Sequence, residues 1–318
     1  MNSQQAKQAI AKMTFGIEIE CRFPRDTARS LGIMANSSNW SRPHSMNHIQ
    51  AEDGEMLTDW LAGYDSTIRC TEANQTGIEF KSKILKGNKG FESVVRFFKW
   101  LNHNGASVDA SCGLHIHLGV KEMVKGQDID GSIETILKVL KSANSAKTAI
   151  FAQSGSARRY FEGGWAKART AHLRSSAEER AKDKLVPCFG CKYFFINTRN
   201  IDNGFNGRKA TVEFRAFAGT TNYLKVLNHL STCLTIAHTA MVIKRASWEG
   251  RNQTADKGYK AFDSLAKYMS NADHLTQFPI FNTYKRKMFK VGRLMAEKFV
   301  MTANRWATNG RVDLEQYR

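Results

Sequence analysis

An α+β fold is what this chain predicts: helices covering one face of a largely antiparallel sheet, with the other face left as an open polar cleft. Three observations carry that expectation. The runs FGIEIECRF, CGLHIHLGV and TVEFRAF alternate apolar with polar residues at the period of a strand. Their polar members, Glu18 and Glu20, His115 and His117, Glu213 and Arg215, sit at i, i+2, so each pair projects from one side of its strand. Strand and helix patterns also fall in blocks rather than in the strict alternation that builds a parallel sheet.

The first strand spans 14–23, with Phe15, Ile17 and Ile19 alternating against Gly16, Glu18 and Glu20. Residues 24–63 are irregular and polar, with scattered Trp40 and Trp60, and predict a long insertion or a lid. Between 66 and 84 two short strands are expected, STIRC and GIEFKSKI, around a polar turn at Asn74; Ile78 and Phe80 share one face, Glu79 and Lys81 the other. Val94, Phe97, Phe98 and Leu101 make an amphipathic helix over 91–104, stopped by Gly105. The histidine strand follows, then a second helix over 131–152 through Ile133, Ile136, Leu137 and Leu140. Residues 155–190 are rich in Arg, Lys and Gly with little periodicity. KYFFINTR and ATVEFRAF form a strand pair across the turn IDNGFNGRK, and a helix runs from about 222 to 244. These elements group into a catalytic domain of 14–245. The stretch 247–258 reads as a linker, and 258–318 as a basic helical extension whose Met288, Val291, Met295 and Phe299 form the packing stripe.

The formal charge of +18 favours anionic partners, including nucleic acid through the basic surface. The opening MNSQQAKQAIAKM lacks the apolar run of a secretory signal. No segment approaches the roughly 18 unbroken apolar residues of a membrane span. A soluble, cytoplasmic protein without membrane contact is therefore expected, and reduced thiols with it. Of the six cysteines, Cys188 and Cys191 form a lone C-x-x-C. A closed zinc site needs four ligands, so a turn with two small thiols is the expectation, and a metal or redox role stays open.

Glu18, Glu20, Glu79 and Glu213 on strand-like segments beside two strand histidines form a poor core and a good cation site. Buried like charges repel unless a cation neutralises them. Carboxylates with one or two imidazoles suit Mg²⁺ or Mn²⁺. One histidine would ligate metal and the other touch substrate or phosphate. Arg215 can neutralise a transferring phosphoryl group; Arg158, Arg159 and Lys81 are further phosphate candidates. Asp65, with Ser66, and Asn197 could orient an amine or a carboxylate. No P-loop, no G-x-G-x-x-G after a strand, no nucleophile elbow and no H-E-x-x-H occurs.

FGIEIE, Asp65-Ser66 before the Glu79–Ser82 strand, CGLHIHLG, Tyr193 to Asn197 and EFRAFAGTTN resemble, in order, the amidoligase family among the glutamine synthetase-like carboxylate–amine ligases. The resemblance covers about 14–240. It implies a glutamine synthetase-like sheet, ATP and a divalent metal, Mg²⁺ or Mn²⁺. It implies metal ligation by Glu18, Glu20, Glu79, His115 and Glu213, and phosphate contact by Arg215, with His117 less defined. The activity it implies is amide-bond formation between a carboxylate and an amine, small-molecule or peptide, through an acyl phosphate. Two rival readings stand beside it: a metal-dependent nuclease or phosphodiesterase, and a non-catalytic basic protein that associates with nucleic acid. Neither the substrates nor the oligomeric state is legible here.

Overall fold

The computed structural model describes residues 1–33, 44–155, 160, 195–201, 205, 210–244 and 255–309. Arg158, Arg159, Cys188, Cys191, Tyr193 and most of the 155–190 and 247–258 stretches lie outside the described residues, as does part of the 24–63 insertion.

Among the described residues one eight-stranded antiparallel sheet is backed by nine helices. Its strands are β1 (Thr14–Pro24), β2 (His44–Ser45), β3 (Trp60–Tyr64), β4 (Gln75–Ser82), β5 (Leu85–Lys86), β6 (Gly113–Gly119), β7 (Ile196–Asn197) and β8 (Thr211–Ala218). The order is β2-β3-β4-β1-β6-β8-β7, with β5 pairing on β1. The helices are α1 (Ser3–Lys12), α2 (Arg25–Ser30), α3 (Gly87–His103), α4 (Ile129–Ser145), α5 (Lys147–Ala152), α6 (Tyr223–Val242), α7 (Gly258–Ser270), α8 (Asp273–Thr276) and α9 (Pro279–Thr308).

The alternation in β1 does what its period requires. Phe15, Ile17, Ile19, Cys21 and Phe23 are buried under the helices, and the residues between them are half-exposed on the other face. Helix α3 lays Val94, Phe97, Phe98 and Leu101 onto this apolar face, all fully buried. Gly105 ends the turn after it with φ +74°, a value that favours glycine. Trp60 stacks on Phe97 with centroids 3.6 Å apart and donates its indole N–H to Ser93 Oγ, so its polar end is satisfied inside the core. Burial of each such ring stabilises the fold by about 2–3 kcal/mol.

Two local expectations change. The strand before β4 is Trp60–Tyr64 rather than STIRC. Ser66–Cys70 is a turn in which Asp65 Oδ1 accepts from the N–H and hydroxyl of Thr67 at 2.8 and 2.7 Å. Gly77 is what lets this turn lie against the sheet, since a Cβ there would collide with the Asp65 carbonyl and meet Ile68 Cβ at 2.8 Å. The helix expected over 131–152 is two helices, α4 and α5, joined at Ala146. Helix α1 was not expected at all.

The C-terminal helices are built into the same core. Phe262, Met288 and Phe299 are fully buried in it, Phe278 packs on Phe91 at 5.1 Å between ring centroids, and Gly292 brings α9 against Phe262 and Asn228. None of the described helices is long and apolar enough to cross a membrane.

Candidate active site

Cross-strand register turns the three motifs into a grid on the bare face of the sheet. One row runs from Lys81 on β4 through Glu18 on β1 to His115 on β6. The next runs from Gly16 through His117 to Glu213 on β8 and Asn197 on β7. A third holds Glu79, Glu20 and Gly113. Between Leu114 and Ile116 the pairing of β6 with β8 slips by one residue, so that Leu114 faces Phe217 but Ile116 faces Phe214. This bulge places Arg215 and Ala216 across from His115 and keeps Glu213 and Arg215 together on the polar side.

The distances are those of one connected centre. Glu18 Oε2 lies 3.3 Å from His115 Nδ1, and Glu18 Oε1 lies 3.2 Å from Lys81 Nζ and 3.6 Å from His117 Nε2. Lys81 Nζ is also 3.1 Å from Glu79 Oε2. Glu213 Oε1 stands 3.5 Å from His115 Nδ1 and 4.0 Å from His117 Nε2, and accepts from Arg215. Two clusters follow in which the potential ligand atoms all lie within 4.8 Å of one another: Glu18, Glu79 and His115, and Glu18, His117 and Glu213. Glu18 belongs to both. Glu20 stands one row off, where Oε2 accepts the N–H of Gly113 at 2.7 Å. Asp65 is engaged by Thr67 in its turn and belongs to neither cluster.

Some of the supporting residues carry no motif. Asn197 donates to Glu213 Oε2 at 2.6 Å, while its own oxygen accepts the N–H of Arg199; the Tyr-x-x-x-Asn spacing did point to it. His117 Nδ1 meets Thr211 Oγ1 at 3.3 Å, and Asn200 donates to the same hydroxyl. Thr211 fixes the ring, and Nε2 faces Glu18 and Glu213. A strand threonine and an asparagine near a turn look ordinary in a sequence, so only the structure identifies them.

The charges shift one another. Burial would raise Glu18, but the nearby His115 and His117 rings and the charges of His117 and Lys81 hold it well below the usual carboxylate range. Burial and the neighbouring Glu18 charge push Glu79 up to about 8, against the pull of Lys81. Burial disfavours charge on His117, yet Glu18 and Glu213 raise its proton affinity above the ordinary histidine value.

The donor set fits a hard divalent ion. Carboxylates dominate, imidazoles complete each cluster, and His117 Nε2 is buried without a hydrogen-bond partner among the described residues.

An open antiparallel sheet whose bare face gathers carboxylates, imidazoles and flanking cations defines the class to which this centre belongs, a carboxylate–imidazole site on an α+β frame. Residues 11–237 match the family described as "Putative amidoligase enzyme", and the chain is a member of that family. No curated protein sequence matches it. The structure is similar to a bifunctional glutathione synthetase from Pasteurella multocida, with a TM-score of 0.46 and 11% identity over 99% of this chain and 51% of that one. It is also similar to the ligase PafA in complex with the prokaryotic ubiquitin-like protein Pup, with a TM-score of 0.40 and 11% identity over 97% of this chain and 71% of that one. The chain therefore spans about half the length of the glutathione synthetase.

Proposed function

We propose that this protein is an ATP-dependent ligase that joins a carboxylate to an amine through an acyl phosphate. The observation that carries this reading is the pair of clusters sharing Glu18, flanked by Lys81 on one side and Arg215 on the other. The two clusters, Glu18 with Glu79 and His115 and Glu18 with His117 and Glu213, are the candidate sites for Mg²⁺ or Mn²⁺. A metal bound there would neutralise charge on the ATP phosphates.

The rest falls to the chain's own groups. Arg215, steadied by Glu213, faces the phosphoryl oxygens and offsets the charge that develops on them. The substrate carboxylate attacks the γ-phosphorus and ADP leaves. The amine then attacks the acyl carbon, inorganic phosphate leaves, and the amine proton passes to a carboxylate at the edge of the site, a role we assign to Asp65. His117, fixed by Thr211, contacts the substrate or a phosphate oxygen. Most of the acceleration is positioning and charge neutralisation on a rigid sheet.

Calorimetry of Mg-ATP binding to the wild type and to Glu213→Ala tests the reading. Metal-dependent binding that disappears in the variant is the expected result. Absence of binding at millimolar ATP in the wild type would reject it, and DNA would be the next ligand to examine.

A further inference from the structure

The first of the two clusters already contains a cation. Lys81 Nζ lies between Glu18 Oε1 and Glu79 Oε2, at 3.2 and 3.1 Å, and those two carboxylates are two of that cluster's three ligands. Its place there is built into the sheet. Lys81 pairs directly with Glu18 across β4 and β1. On its own strand it is flanked by Phe80, fully buried against Phe97 and Trp100, and by Ser82, whose hydroxyl accepts the N–H of Ile17 at 2.9 Å. The side chain therefore starts from a fixed point, and its ammonium reaches Glu18 in its own row and Glu79 in the adjacent one.

The second cluster is arranged differently. Arg215 donates to one of its members, Glu213, whose oxygen keeps a second lone pair to give. His117 Nε2 is buried with no hydrogen-bond partner among the described residues. An ammonium seated between Glu18 Oε1 and Glu79 Oε2 fills the space a divalent ion would take between those two oxygens, and the two cations repel.

We propose that Lys81 is a built-in cation that replaces a metal ion in the Glu18–Glu79–His115 cluster, so that the centre binds a single divalent ion, at Glu18, His117 and Glu213. This rests on the metal-site reading above and adds the number of ions and the identity of the group that stands in for the other. A side chain in place of an ion fixes one positive charge beside Glu18 whatever the metal supply.

The test is the stoichiometry of Mn²⁺ binding, measured by calorimetry and by electron paramagnetic resonance without nucleotide. The wild type and Lys81→Arg should bind one ion. Lys81→Met should bind two, with a spin-coupled signal, because Glu18 would bridge them. Lys81→Met/Glu79→Gln should return to one. Two ions in the wild type, or one in Lys81→Met, would overturn the role of Lys81 while leaving the metal centre intact. No Mn²⁺ bound to the wild type would overturn both, and loss of the single ion in Glu213→Ala secures the second cluster independently of Lys81.

Discussion

Single residues decide whether this face is a core defect or a reaction centre, and Glu79 shows how. An unfolded Glu79 loses its proton near 4.5, whereas the folded one keeps it to about 8, because burial and Glu18 disfavour a second negative charge. The folded state therefore binds more protons across that window. Stability from this residue falls as pH rises through it, by at most about 1.4 kcal/mol per pH unit. Glu79→Gln should remove that slope, as followed by urea midpoints at pH values spanning the window; an unchanged slope would show that Glu79 ionises freely. Asn197 acts on the reaction through Glu213. Asn197→Ala leaves Glu213 Oε2 without its 2.6 Å donor, and ATP turnover should drop by about 10–100-fold while the unfolding midpoint moves little. The clustering of Glu18, His115, His117 and Glu213 was legible because strand periodicity alone places them on common faces. Thr211 and Asn200 were not, since their roles come from a hydrogen-bond chain that no spacing reveals.

Elements succeed or fail as sequence signals according to how much of their information is local. The helix α3 could be placed from its apolar stripe, and β1, β6 and β8 from their alternation. Strand β3 could not, because Trp60–Tyr64 is held by tertiary partners: Trp60 by Phe97 and Ser93, and Gly63 by its place opposite Glu79. STIRC has strand composition, but Asp65 turns the chain back through Thr67 and overrides it. Gly292 is the element-scale contact we would test. It lies within α9 where a Cβ would strike the Phe262 ring and the Asn228 amide. Alanine should add about 1 kcal/mol of helix propensity. Overpacking costs about 1–3 kcal/mol, so Gly292→Ala should lower the denaturant midpoint on balance. A rise in the midpoint would mean that α9 shifts to make room.

Across the whole molecule, the C-terminal helices complete the core. The chain beyond 258 contributes Phe262, Phe278, Met288 and Phe299 to the cluster that also holds Phe91 and Phe151. Deleting 258–318 should therefore yield an insoluble or molten product rather than a smaller working domain, as judged by near-ultraviolet circular dichroism and gel filtration; a folded, ATP-binding fragment would contradict this. Both the basic character of that segment and its packing stripe were legible in the sequence, while the partners of the stripe were not, because a half-apolar helix stripe does not name the surface it covers. One property of the grid has a bearing on inactivation. All five residues of the two clusters lie on β4, β1, β6 and β8, none of which is an edge strand of the sheet. Middle strands open only when the fold as a whole opens. Heat should thus not distort this centre in advance of melting, and the curves for lost activity and lost ellipticity should superimpose.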